Sequence, residues 1–109
     1  MAVPGQWELY YDWNSTGNYG STSMTVASNG TWTNGQGYKG VWVQVAGIFM
    51  FLFDNSKTTY AGNIADKSVT GINTTFAGLN GSFYMLQAGA PAAAAKEVVH
   101  SVADVSGKR

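Results

Sequence analysis

The sequence predicts an all-β protein, a single antiparallel up-and-down β-barrel of about eight strands. Apolar and polar residues alternate in short runs between residues 6 and 87, which is the period of a strand. Turn residues separate these runs at intervals typical of a barrel or sandwich, and no helical periodicity occurs before residue 90. The short links favour a meander of neighbouring strands, and closing it into a barrel removes the exposed strand edges.

The first half of the barrel is predicted from four runs of aromatic and β-branched residues, 7–13, 21–28, 31–33 and 40–45. The first run ends at Ser-Thr-Gly-Asn, and Asn-Gly pairs end the second and the third. Asn-Gly pairs tolerate the positive φ that tight hairpin turns require. Each break therefore predicts a turn between antiparallel neighbours.

The second half is predicted from four further runs, 48–54, 58–64, 68–72 and 82–87. Ala-Gly precedes the run 48–54, and Asp-Asn marks the break between it and the run 58–64. Asp-Lys lies between 58–64 and 68–72, and Asn-Gly opens the last run. These are again turn-forming residues. We therefore predict one barrel domain over residues 1–87.

The composition changes at residue 88, where an alanine-rich segment begins. Pro91 suits the first turn of a helix, and Val98, Val102 and Val105 fall on one helical face. A short helix docked on the barrel and a tail without regular structure both fit this pattern. Residues 88–109 are therefore predicted to be a linker and tail, with both alternatives open.

Composition and charge exclude several classes of function. Only 11% of the residues are charged, the net charge is 0 and no basic cluster occurs, which argues against nucleic-acid binding. The absence of cysteine excludes disulfides and thiolate metal sites. No run of 18 apolar residues predicts a membrane-spanning helix, and no signal peptide is evident. A chain without cysteine fits the reducing cytosol and an exported protein equally well, so the cellular compartment is not predicted.

The residues that could support catalysis are few and scattered. His100 is the only histidine, and no Gly-x-Ser-x-Gly sequence occurs to position a nucleophile. The carboxylates are dispersed along the chain rather than clustered as a metal site requires. We therefore predict a non-catalytic protein without a metal or cofactor.

A set of strand and turn positions carries a resemblance to a known family. These positions are Gly5-x-Trp7, Tyr11-Asp12-Trp13, Asn29-Gly30-Thr31-Trp32, Gly40-x-Trp42, Tyr60-Ala61-Gly62, Val69-Thr70-Gly71 and Gly81-Ser82-Phe83. Over residues 5–87 the chain resembles the small bacterial lipocalin-like β-barrel domains. The resemblance implies a barrel that takes a small apolar or amphipathic molecule inside it, as larger lipocalins and avidins do.

Four tryptophans, six tyrosines and five phenylalanines are a heavy aromatic load for 109 residues. Small barrels are commonly packed solid by such side chains, so a structural or self-associating module without a ligand is the alternative function. An internal cavity of roughly 300 Å3 or more favours a ligand site instead. The predicted ligand-binding residues are Val43, Phe49, Phe51, Tyr60, Phe83 and Met85.

The segment 41–53 is apolar on both faces of a predicted hairpin, and only Gln44 interrupts it. Alanine disfavours positive φ, so we predict a three-residue loop, 45–47, that pairs Gln44 with Ile48. Because a buried amide without partners is costly, the face that carries Gln44 is predicted to point outward. An exposed apolar face usually marks an interface, so a homo-oligomer is predicted. Its predicted interface residues are Trp42, Ile48, Met50 and Leu52, and Val41, Val43, Phe49, Phe51 and Phe53 are predicted to face inward.

Overall fold

The computed structural model describes residues 3–75 and 78–88, which form a closed antiparallel barrel. Each strand pairs with the next one in the chain, and the last pairs with the first, so the predicted fold class is confirmed. The strand bounds agree with those predicted to within two residues. The strands are β1 (Gly5–Trp13), β2 (Gly20–Val26), β3 (Thr31–Asn34), β4 (Lys39–Val45), β5 (Ile48–Phe53), β6 (Thr59–Ala65), β7 (Ser68–Thr74) and β8 (Asn80–Gln87).

The predicted tail from residue 89 onward, with its alternative of a docked helix, lies outside the described residues. Within the described part of the chain, no helix is long and apolar enough to cross a membrane.

One end of the barrel is closed. Val3 precedes β1, is 1% exposed, and packs in the core. The indole Nε1 of Trp7 donates a hydrogen bond of 2.7 Å to the Val3 carbonyl, which holds this segment in place. Large inward-facing side chains from six strands fill the interior above it, because alternate strand residues point to the same face. They are Trp7, Leu9, Met24, Val26, Trp32, Phe49, Phe51, Val69, Phe83 and Met85.

The register of the β4–β5 hairpin differs from the prediction. Val45 pairs with Ile48 across a two-residue turn, in which Ala46 adopts a φ of 52°. Gln44 consequently pairs with Phe49 on the inward face, not with Ile48. Gln44 is tolerated on this face because it lies at the strand end, where it is exposed and its Nε2 donates to the Ala46 carbonyl at 3.1 Å.

This one-residue difference moves two predicted site residues to the opposite face, as a register slip must. Val43 points outward and is 50% exposed, so its predicted position inside the barrel was wrong. Trp42 points inward, where it pairs with Phe51, and its Nε1 donates to the Ala27 carbonyl at 2.8 Å. Its predicted place on the outer face was therefore also wrong. Val41 likewise points outward and is 48% exposed, contrary to prediction.

The outer face of β4, β5 and β7 carries a continuous set of apolar residues, which we call the apolar belt. Met50 lies between Val43 on β4 and Ala61 on β6, and Ala61 pairs in turn with Ile72 on β7. Ile48, Met50 and Leu52 lie on this outer face, as predicted. Besides Ala61, the belt consists of Val41, Val43, Val45, Ile48, Met50, Leu52 and Ile72.

Candidate functional site

The open end of the barrel is a cavity of about 380 Å3, which we call the barrel mouth. It lies at the end where β1, β3 and β5 finish and where the loops after them begin. Core side chains fill the barrel below the mouth, whereas the strand ends leave a space there. The mouth is lined by Leu9, Tyr11, Trp13, Thr22, Asn34, Gln36, Tyr38, Phe53, Asn55, Ser56, Thr58 and Tyr60.

The floor of the mouth is formed by Tyr60, which joins it to the packed core. The Tyr60 ring stacks on Phe51 with 4.6 Å between ring centroids, and meets Phe83 edge-on at 5.0 Å. On the side of the mouth, Trp13 meets the Tyr60 ring edge-on at 6.0 Å. A ligand in the mouth would therefore rest against an aromatic surface supported by the core.

The rim of the mouth is held by hydrogen bonds within its loops. The Asn34 side-chain oxygen accepts hydrogen bonds of 3.0 Å from the backbone nitrogens of Gln36 and Tyr38. Gln36 Nε2 then donates to the Tyr11 hydroxyl at 2.9 Å, across the opening. These bonds fix the positions of two side chains that line the cavity, so the rim is partly preorganised.

The loop between β1 and β2 borders the same end and is anchored by Asp12. Its carboxylate is 1% exposed and accepts hydrogen bonds from the backbone nitrogens of Thr16 and Gly17, at 2.9 and 2.7 Å. The Thr16 hydroxyl donates a third bond of 3.0 Å. These three hydrogen bonds satisfy the buried carboxylate, which holds the loop in shape and does not line the mouth.

The mouth combines aromatic surface with uncharged polar groups. Five of its twelve described lining residues are aromatic and nine, including three tyrosines, carry hydroxyl or amide groups, while none carries a charge. Within the described part of the chain, the Asn55 amide and the Tyr38 hydroxyl make no hydrogen bond and remain available to a ligand. This chemistry fits a neutral molecule with a flat apolar part and several polar groups.

Burial raises the pKa of the Tyr60 hydroxyl to about 12; the neighbouring Asn73 amide lowers it in part, and Tyr11 raises it further. An unfolded tyrosine titrates near pH 10, so between pH 10 and about 12 the unfolded chain releases a proton that the folded chain retains. Stability should consequently fall as the pH rises through this window, by roughly 3 kcal/mol from Tyr60 at most.

Urea unfolding at pH 9 and pH 11.5 measures this effect, with Tyr60→Phe as the matched variant. We expect a smaller loss of unfolding free energy with pH in the variant, which lacks the hydroxyl. The same loss in both proteins would contradict the assignment to Tyr60.

Of the predicted ligand-binding residues, only Tyr60 lines the mouth. Phe49, Phe51, Phe83 and Met85 are fully buried in the packed core below it, with exposures of 0%. Val43 lies outside the barrel, as described above. Most of the other lining residues were missed because they lie at strand ends and in loops, whereas Leu9 and Thr22 lie within β1 and β2. The sequence signal that could have indicated the mouth is the pair Tyr11 and Trp13, two aromatic residues on one face where the first strand ends.

Comparison of the chain with models of protein families, with curated proteins and with solved structures found no match. Among the described residues, no group of three or more histidine, cysteine, aspartate or glutamate side chains is placed to hold a metal ion. The geometry of the mouth and of the outer surface is therefore what indicates a function.

Proposed function

We propose that the protein is a non-catalytic binding protein that takes a small neutral amphipathic molecule into the barrel mouth. The observation that carries this proposal is a cavity of about 380 Å3 with an aromatic floor and an uncharged polar rim. Ligand pockets commonly begin at roughly 300 Å3 and combine aromatic surface with a few placed polar groups. This space is a pocket at the open end of the barrel and not an internal cavity, because core side chains fill the interior below it.

The chemistry of the lining supports binding rather than catalysis. General acid–base chemistry relies mostly on histidine, carboxylate, lysine or cysteine groups. None of these is among the twelve described residues that line the mouth. Tyrosine can act as an acid, but the Tyr60 pKa is raised to about 12, far from a neutral working pH.

Titration with the neutral naphthalene dye prodan tests this proposal, because its emission shifts to the blue in apolar surroundings. We expect saturable binding that weakens about tenfold or more in Tyr11→Ala, since an aromatic wall of the mouth is lost. The matched control is Tyr10→Ala: Tyr10 is the neighbouring residue but lies outside the barrel, stacked on Tyr84 at 4.6 Å. Equal affinities for the two variants, or no saturable binding to the wild type, would contradict the proposal.

We propose as a second function that the protein self-associates through the apolar belt. The belt carries five residues that are 48–70% exposed, namely Val41, Val43, Val45, Ile48 and Ile72. At this exposure they present roughly 300 Å2 of apolar surface, which lies at the lower end of the range for the largest patch on a typical monomer, and such patches are often functional.

A second copy of the chain is the occupant that best fits the belt. The described belt has no charged member, and threonines at positions 31, 59, 70 and 74 border it, which gives an apolar centre with a polar rim. A stable interface buries roughly 800 Å2 on each partner, so the belt supplies the centre and the threonine rim extends it. Two-fold pairing of one self-complementary surface is the commonest arrangement. Sedimentation velocity of the wild type and of Val43→Lys tests this function.

We further propose that the chain is related to the small bacterial lipocalin-like barrels. Its eight strands in closed up-and-down order support this relationship. The two proposed functions are compatible with each other, because the mouth lies at an end of the barrel and the belt on its side.

A further inference from the structure

Asn73 is a fully buried polar residue inside the barrel, next to the mouth. It lies on the inward face of β7, is 1% exposed, and neither its amide nitrogen nor its amide oxygen has a hydrogen-bond partner. A buried primary amide normally has partners for both groups, and leaving both without one is costly. Such an exception calls for a functional explanation.

The strand register places Asn73 between two residues that line the mouth. Across one side it pairs with Tyr60, and across the other with Gly81, which in turn pairs with Trp13. All four positions face inward, so they form one row across the barrel wall. Asn73 therefore lies directly beside the mouth, although it does not itself line the open cavity.

The absence of a side chain at Gly81 lets the neighbours close over Asn73. A Cβ at this position would collide with the Asp12 carbonyl oxygen and would lie 3.0 Å from the Asn73 side-chain oxygen. In the same row, the Trp13 ring meets Tyr60 edge-on at 6.0 Å. The Asn73 amide is close enough to the Tyr60 hydroxyl to lower its pKa, yet the two form no hydrogen bond of good geometry.

We infer that Asn73 is the polar anchor of the mouth and that the ligand carries a neutral carboxamide or lactam group. This inference rests on the proposed ligand-binding function. To reach Asn73 the group must displace the Trp13 ring from its edge-on contact with Tyr60. It then donates to the Asn73 side-chain oxygen and accepts from the Asn73 side-chain nitrogen. An amide matches this residue because it offers one donor and one acceptor side by side. The flat apolar part of the ligand stays in the mouth against the aromatic rings.

Two naphthalene probes in wild type and Asn73→Leu test the inference. 2-Naphthamide carries the carboxamide, and 2-methylnaphthalene has the same rings without a donor or an acceptor. We expect Asn73→Leu to weaken 2-naphthamide binding about tenfold or more, through loss of two hydrogen bonds, and to leave 2-methylnaphthalene binding unchanged or tighter. The melting temperature of the free variant should equal or exceed that of the wild type, because no hydrogen bond is lost.

Three results would overturn the inference. The first is an equal change in affinity for both probes, and the second is a lower melting temperature of the free variant, which would indicate a structural role for the amide. The third is failure of 2-naphthamide to bind a wild-type protein that binds prodan, which would leave the proposed function standing. If prodan also fails to bind the wild-type protein, both this inference and the proposed ligand-binding function are overturned. If Asn73→Leu does not fold, Asn73→Ala provides the same contrast between the probes.

Discussion

Gly40→Ala should lower the unfolding free energy by about 3 kcal/mol or more, which is the largest single effect expected on the fold. Gly40 lies on the inward face of β4, opposite Phe53 of β5. A Cβ here would collide with the Leu52 carbonyl oxygen and would lie 2.9 Å from the Trp32 indole nitrogen. That nitrogen donates a hydrogen bond of 3.1 Å to the same carbonyl. The added methyl group would therefore disrupt both the strand contact and the bond that positions Trp32.

Gly47→Ala, in the turn of the same hairpin, is the matched control. A Cβ at Gly47 would meet nothing within 4 Å, and Gly47 does not adopt a left-handed φ. We expect its stability to be unchanged or raised by up to about 1 kcal/mol, since alanine restricts the unfolded chain more than glycine does. Thermal unfolding of both variants measures the difference. A Gly40→Ala protein that melts within about 3 °C of the wild type would contradict the tight strand contact described here.

Val43→Lys should convert a wild-type dimer into a monomer. Val43 lies at the centre of the apolar belt, between Val41 and Val45 on β4 and opposite Met50 on β5. Placing a lysine against the same surface of a second copy buries a charge without a partner, which we estimate to weaken association about 100-fold or more. Sedimentation velocity over a range of concentrations measures the change.

The control for this variant is Ser21→Lys, which adds the same charge at an exposed position of β2 outside the belt. It should leave the dimer intact, as should removal of residues 90–109. A competing account is that the segment containing Val98, Val102 and Val105 covers the belt. It predicts a monomeric wild type and a truncated protein that aggregates. A monomeric wild type whose truncation also stays monomeric would contradict both accounts.

The strand order of the barrel could be predicted from the sequence because its signals are local. Alternation of apolar and polar residues marked the strands, and turn residues marked their ends to within two positions. Short links between strands left few topologies other than a meander. Closure followed from the cost of exposed strand edges, and the pairing of β1 with β8 confirms it.

The register of the β4–β5 hairpin could not be predicted because it depended on one backbone angle. Ala46 adopts a φ of 52°, in the left-handed region that alanine ordinarily disfavours. Since neighbouring strand residues point to opposite faces, that single turn decided whether Val43 or Trp42 faced the core. Both strands are apolar on both faces, so the hydrophobic pattern alone could not distinguish the two registers.

The candidate site was harder to predict than the fold because it forms where strands end. The six residues predicted to bind ligand were chosen for apolar character, which selects the residues that fill the core. Phe51 and Phe83, for example, pack against Tyr60 and leave no space between them. The mouth instead draws Gln36 and Asn55 from separate loops, and only the three-dimensional structure shows that they meet.

Mapping of backbone amide chemical shifts during titration with prodan tests the central claim, that the mouth is the ligand site. The dye could bind either of two surfaces, the mouth or the apolar belt, and this measurement distinguishes them. We predict saturable shifts at Trp13, Gln36 and Asn55 around the mouth, with Val45 and Ile72 on the belt unchanged. Shifts confined to the belt, or no saturable shifts at all, would contradict the account.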